Sequence, residues 1–66
     1  MDAPKIGEIW TCDDFVVEII SREQADRLGY EYKTGNVLYL YKTGPVGKVG
    51  SFQQVHNFLK QWTRCD

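Results

Sequence analysis

The sequence predicts an α+β fold that is mostly β, in which four or five short antiparallel strands form a small barrel and a C-terminal amphipathic helix packs across it. Three observations lead to this fold class. Runs of β-branched and aromatic residues alternate with polar ones, turn residues separate the runs, and the apolar period becomes helical after residue 50. The 66 residues are expected to form one small domain, 1–66, whose stability rests on few elements.

The first two strands are predicted at about residues 8–12 and 14–21. The first run alternates in polarity and contains β-prone residues. The second contains the stretch 15–20, which is apolar on both faces, as in a central strand that is covered from two sides. Asp13 and Asp14 lie between the two runs and are typical turn residues, so the pair of strands is expected to form a hairpin.

A short helix is one of two interpretations of the segment after the second strand. Ser21 and Gln24 fit a capping box, and Glu23 and Arg27 have the spacing of an ion pair on one helix face. The alternative is a mobile excursion between strands, because a helix of one or two turns is marginal in isolation. After this segment, residues 30–33 are expected to pair across the three-residue loop 34–36 and so add an outer strand.

The C-terminal half predicts two further strands, at about residues 37–42 and 46–50, and a helix at about 51–64. Ser51 and Gln54 fit a second capping box at the start of that helix. Its apolar residues fall within about 120° of a helical wheel. They are Phe52, Val55, Phe58, Leu59 and Trp62.

The strand at 37–42 carries the candidate binding residues. Alternate side chains of a strand point to opposite faces, so Leu38 and Leu40 are separated from Tyr39 and Tyr41. If the leucines face the core, the two tyrosines form an aromatic strip on the other face, where they contact a partner or are covered by the helix or the 22–33 segment. The predicted partner-binding residues are Tyr39, Tyr41, Lys42, Lys48 and Tyr32.

Catalytic and metal sites are not predicted, and the chain is not expected to be an enzyme or to hold a cofactor. The glycine-rich stretch 44–50 has the wrong spacing for a phosphate loop, and a valine follows its lysine. A zinc site needs about four Cys or His ligands at short spacing, and the chain has only one histidine, His56, and two cysteines. Asp13 and Asp14 are explained by turn chemistry rather than acid-base catalysis.

The compartment and the membrane relation follow from composition. The sequence has no apolar run of about 18 residues and no basic-then-apolar start, so no membrane span or export signal is expected. The two cysteines, Cys12 and Cys65, are then expected as reduced thiols in a cytoplasmic protein. A disulfide between them is the alternative, and it would close a long loop.

The chain resembles small SH3-like barrel proteins found among phage and prophage accessory genes, many of which have no assigned function. The resemblance rests on the pattern of apolar residues in 7–10, 15–20 and 37–42 and on Ser51, Phe52 and Phe58. It covers nearly the whole chain. It implies a compact barrel that binds a host or phage protein, or in some cases nucleic acid, and it brings no catalytic residue with it.

The leading functional expectation is a non-catalytic protein-binding module. Tyr39 and Tyr41 would supply apolar contact area, and Lys42 and Lys48 would steer an acidic partner. Single-stranded nucleic-acid binding through the same strip is the alternative, but the net charge of −1 disfavours it. The chain is expected to be a monomer, or a homodimer that buries the strip against its own copy.

Overall fold

A computed structural model of the protein describes residues 3–30 and 37–65. These residues form one antiparallel sheet with two short helices. The strands are β1 (Ile9–Cys12), β2 (Phe15–Ile20), β3 (Val37–Tyr41), β4 (Val49–Phe52) and β5 (Thr63–Arg64), and the helices are α1 (Arg22–Arg27) and α2 (Val55–Gln61). The mostly β, antiparallel fold class is therefore confirmed.

The sheet has the strand order β4-β3-β2-β1-β5 and is open. Its two edge strands, β4 and β5, do not pair with each other within the described residues, so these strands do not close the predicted barrel. Length is one physical reason, because β5 has only two residues and α2 occupies most of the chain between the edges. In the described part of the chain, no helix has the length and apolar character needed to span a membrane.

Strands β1, β2 and β3 lie within one residue of their predicted bounds. The strand predicted at 46–50 and the helix predicted at 51–64 are both displaced. In the structure the strand, β4, begins and ends later, and the helix, α2, is shorter at both ends. Residues near the C-terminus leave the helix because they pair with β1, where Arg64 lies opposite Trp10.

Sheet pairing overrides the predicted capping box at the start of α2. Ser51 lies in β4 opposite Leu38, and Phe52 lies opposite Val37, so both residues belong to the ladder with β3. Gln54 is the N-cap of α2 and makes no side-chain capping bond. A pairing between distant segments thus decides the boundary that the local sequence pattern misplaces.

Apolar side chains cover the central strands on both sides of the sheet. We call the two layers the α2 side and the α1 side, after the helix that packs on each. The buried residues of the α2 side are Trp10, Val17, Ile19, Val37, Tyr39, Phe58 and Trp62. Those of the α1 side are Ile20, Ala25 and Leu38. The prediction that β2 is a central strand covered from two sides is confirmed.

The predicted separation of Leu38 from Tyr39 is confirmed, and of the two outcomes left open for Tyr39, contact with a partner or cover by the helix, the structure shows the second. The Tyr39 side chain is only 7% exposed and belongs to the α2 side, while Leu38 is buried on the α1 side. Both faces of β3 are covered, so its alternation separates two cores rather than a core from solvent. Gly50 lies opposite Tyr39 and makes room for its ring, since a Cβ there would lie 2.5 Å from the tyrosine Cζ.

Helix α1 has the predicted capping box. The Ser21 hydroxyl accepts a hydrogen bond from the Gln24 backbone N–H at 3.1 Å, and the Ser21 backbone N–H donates to the Gln24 side chain at 3.0 Å. Glu23 and Arg27 form the expected ion pair, 2.7 Å apart, on the exposed face. Of the described part of the 22–33 segment, the first six residues are therefore helical.

The two cysteines are free thiols on different parts of the sheet. The backbone N–H of Cys65 donates to the carbonyl of Ile9 at 2.8 Å, which places Cys65 beside the start of β1. Cys12 lies three residues further along β1 and on the opposite face, roughly 10 Å away in strand rise alone. A disulfide needs Cα atoms within about 7 Å, so this fold does not permit the bridge that the sequence left open.

Candidate functional site

Two hairpin loops meet at one end of the sheet and form the candidate site. The β1–β2 loop consists of Asp13 and Asp14, and Asp13 has the positive φ of 51° that such a tight turn requires. The Thr43 hydroxyl ties the β3–β4 loop to this turn. It donates to the Asp14 carbonyl at 3.0 Å and accepts from the Val16 backbone N–H at 2.9 Å. The two loops are therefore held together as one surface.

Phe15 and Tyr41 are the aromatic residues of this surface. Phe15 is 41% exposed, and its ring packs edge to face against Tyr41, with ring centroids 5.8 Å apart and an interplanar angle of 79°. Tyr41 is half-buried and contacts the buried rings of Tyr39 and Trp62, at centroid distances of 5.6 and 6.4 Å. The exposed rings thus continue an aromatic cluster that runs into the core, which fixes their positions.

A glycine in the β3–β4 loop allows Phe15 to lie where it does. Gly44 has a φ of 69°, and a Cβ at this position would lie 2.6 Å from the Phe15 Cε1 atom. Both the backbone conformation and the contact with the ring require glycine. The loop therefore supports one side of the Phe15 ring and leaves part of the ring open to solvent.

The predicted lysines lie on different faces of the sheet. The Tyr41 backbone N–H donates to the Lys48 carbonyl at 2.9 Å, and this pairing places Lys48 on the same face as Tyr41. Lys42 lies on the opposite face, where its ammonium is 2.9 Å from the Glu18 carboxylate. The prediction that both lysines border one aromatic strip is therefore wrong for Lys42, because consecutive strand residues point to opposite faces.

The remaining predicted site residues have different fates. Tyr39 is buried, and burial followed by the proximity of Tyr41 raises the pKa of its hydroxyl well above 10.0, so the side chain stays neutral. Tyr41 and Lys48 share the loop end of the sheet. Tyr32 lies outside the described residues. We call the set Phe15, Tyr41 and Lys48 the hairpin-end surface.

Phe15 was not among the residues predicted for the site. The sequence places it first in a strand directly after the two-residue turn, where a side chain lies at the end of the sheet. Its position two residues before Val17 puts it on the same face as Tyr41, which lies opposite Val17. Every second residue of a strand lies on the same face, and this rule, together with the position of the turn, could have identified Phe15 from the sequence.

The hairpin-end surface offers rigid apolar contact area with charges of both signs around it. Asp13 and Asp14 are exposed on the turn, and Lys48 is exposed beside Tyr41. Rings of this kind bury large areas at interfaces at little cost in side-chain entropy.

Compared with protein-family models, with curated proteins and with solved structures, the chain matches none of them.

Proposed function

We propose that this protein is a non-catalytic protein-binding module that contacts its partner through the hairpin-end surface. The observation that carries the proposal is the exposed Phe15 ring, which is held edge to face against Tyr41 and supported by Gly44. An aromatic side chain that is already fixed loses little conformational freedom when a partner covers it. Aromatic residues, phenylalanine among them, are enriched at the centres of protein interfaces.

The charges around the surface define the partner further. Lys42 is engaged by Glu18 on the other face, so Lys48 is the predicted lysine that remains beside the aromatic pair. Asp13 and Asp14 are exposed on the turn that immediately precedes Phe15. A partner with an apolar centre and charges of both signs at its rim complements this arrangement.

Two alternatives use the same surface. Single-stranded nucleic acid would stack its bases on Phe15 and Tyr41, but two carboxylates and one lysine at the rim give a poor site for phosphates. A homodimer would bury the surface against its own copy. Both alternatives are outcomes of the test below rather than further proposals.

The wider setting belongs to the same proposal. The resemblance to SH3-like barrel proteins of phage and prophage origin supports a binding role toward a host or phage protein, although the strands described here form an open sheet. The two free thiols support a reducing compartment such as the cytoplasm. Neither argument depends on the hairpin-end surface.

The test is affinity capture from the native host followed by reconstitution with the purified partner. The wild-type chain is compared with Phe15→Ser, which removes the exposed ring. The matched control is Ile6→Ser, which removes another exposed apolar side chain, 66% exposed, away from the two hairpin loops. We expect Phe15→Ser to raise the dissociation constant about tenfold or more, as does the loss of an aromatic residue at the centre of an interface. Ile6→Ser should leave the dissociation constant unchanged.

Three results would contradict the proposal. The first is equal binding of the partner by the Phe15→Ser and Ile6→Ser variants. The second is salt-sensitive binding of a labelled single-stranded oligonucleotide that is lost in the Phe15→Ser variant. The third is a dimer in sedimentation of the wild type that becomes a monomer on the same substitution. Circular dichroism of each variant shows whether the fold is retained.

A further inference from the structure

A groove lies beside α2 and shares no residue with the hairpin-end surface. Its volume is about 550 Å³, compared with about 280 and 300 Å³ for two other grooves of the molecule. Among the described residues, those that line it are Val55, His56, Leu59 and Lys60. A groove of this size accommodates several side chains of a bound segment.

The groove combines an apolar floor with one lysine, Lys60, and one histidine, His56, at its edge. Val55 and Leu59 lie four residues apart on one stripe of the helix, and both are half-buried because they also pack against the core of the α2 side. His56 and Lys60 have the same spacing and are exposed beside that stripe. The helix is anchored by Phe58, which is fully buried and stacks on Trp62 with ring centroids 5.9 Å apart. The groove-lining side of α2 is therefore fixed relative to the core.

The charges of the chain are strongly segregated along the sequence. Residues 3–30 contain six Asp or Glu and three Lys or Arg, whereas residues 37–65 contain four Lys or Arg and no Asp or Glu. The net charge of −1 therefore conceals a cationic C-terminal half. The region around the α2 groove belongs to this half.

Lys60 is one of the lysines in this half that remain available to a partner. Arg64 is 3.4 Å from Glu8, and Lys42 is engaged by Glu18. No ion pair joins Lys60 to another residue in the described ranges, and Lys60 is an exposed residue that lines the groove. The positive potential beside the apolar floor is thus not neutralised by the helix that carries it, since α2 has no acidic residue.

We infer that the α2 groove binds an acidic amphipathic helix of a protein partner. Leucine-type side chains of the partner cover Val55 and Leu59, and its carboxylates lie beside His56 and Lys60. Two copies of this chain packed groove to groove would bring cation against cation, which disfavours self-association. The described residues of the floor are aliphatic rather than aromatic, so they provide no platform for nucleic-acid bases.

A designed peptide is the probe for this site. It has about 18 residues, leucines along one helix face and glutamates beside them, as in segments that bind in a groove. Two matched peptides carry glutamine or lysine in place of every glutamate. The dissociation constants are measured by calorimetry, and the contacts are mapped by the amide shifts of isotope-labelled protein.

We expect the glutamate peptide to shift the amides of α2 and to bind about tenfold more tightly than the glutamine peptide. Lys60→Glu should abolish this preference and favour the lysine peptide. Lys48→Glu is the matched control, because it makes the same change of charge at an exposed lysine outside the groove. Leu59→Ser should lower the affinity for all three peptides.

Several outcomes would overturn the inference. One is equal affinity for the glutamate and lysine peptides, and another is an equal effect of Lys48→Glu and Lys60→Glu. A shift map centred on Phe15 would also contradict it. Self-association, or salt-sensitive oligonucleotide binding, that is lost on Lys60→Glu would show a different occupant. Phe15→Ser should leave the peptide affinity unchanged. The inference about the α2 groove can therefore fail while the hairpin-end proposal holds, and the reverse.

Discussion

The two sides of the sheet differ in how much of the fold they stabilise. Among the described residues, the α2 side holds seven buried residues, four of which are aromatic and pack against one another, whereas the α1 side holds three. The rings Trp10, Tyr39, Phe58 and Trp62 all lie within about 6 Å of a neighbouring ring centroid. Because apolar burial scales with area, most of the stabilisation comes from the α2 side.

This asymmetry explains why the binding surfaces lie where they do. The hairpin-end surface extends from the aromatic cluster through Tyr41 to Phe15, and the α2 groove lies on the helix that Phe58 anchors. Both surfaces are therefore supported by the larger core. The α1 side is anchored mainly through Ala25, a small residue that buries little area.

The largest expected effect is the loss of the Phe58 ring. Phe58→Ala should reduce the free energy of unfolding by about 3–5 kcal/mol, because the ring is fully buried between Trp10 and Trp62. That is comparable to the whole stability expected of so small a domain. Urea denaturation followed by tryptophan fluorescence measures the change.

Leu59→Ala is the matched control for Phe58→Ala. Leu59 is half-buried on the same helix and buries a smaller area. Leu59→Ala should therefore reduce the free energy of unfolding by only roughly 1–2 kcal/mol. If Phe58→Ala does not fold, Phe58→Leu provides the smaller and measurable step. Equal costs for the two alanine variants would show that α2 is not anchored through Phe58.

The contact between Tyr39 and Gly50 should have the next largest effect. Gly50→Ala would place a methyl group 2.5 to 2.6 Å from the tyrosine ring atoms, so the ring or β4 must move. Overpacking of this kind costs about 1–3 kcal/mol. In a Tyr39→Val background the same substitution should be neutral or stabilising, since alanine is otherwise the less flexible residue. An unchanged cost in that double-mutant cycle would mean that the ring does not oppose Gly50.

The strands could be predicted from sequence because their signals are local. The alternation in β1, the apolar run of β2 and the turn residues Asp13 and Asp14 predict the first hairpin, and the structure contains it. The capping box of α1 is equally local, since Ser21 and Gln24 satisfy each other's backbone groups. Each of these features depends on residues within a few positions of one another.

Whether the face of Tyr39 is covered could not be decided from the sequence, because the cover comes from distant segments. Alternation separates two faces but does not show which is covered, and here α1 and α2 cover both. The start of α2 was misplaced for the same reason, because Ser51 pairs with Leu38 across the sheet. The candidate site changed accordingly, from the tyrosines of one strand to Phe15 and Tyr41 on neighbouring strands.

The smallest expected effect is on the α1 side. Ser21→Ala removes the side-chain acceptor of the capping box and should destabilise α1 by about 1 kcal/mol. Because Ala25 is the buried residue that holds α1 to the sheet, we expect the helix to open without unfolding of the strands. Native-state hydrogen exchange should then show faster exchange of the α1 amides and little change at β2 and β3.

The same experiment distinguishes a separate α1 unit from a single cooperative fold. If Ser21→Ala lowers the protection of β2 and β3 as much as that of α1, the two sides of the sheet unfold together and the difference between them is only one of size. Arg27→Ala is the control on the same helix. Its ion pair with Glu23 is largely exposed and should contribute less than about 0.5 kcal/mol to the stability of α1. If Arg27→Ala destabilises α1 as much as Ser21→Ala does, the effect of Ser21→Ala is not specific to the cap.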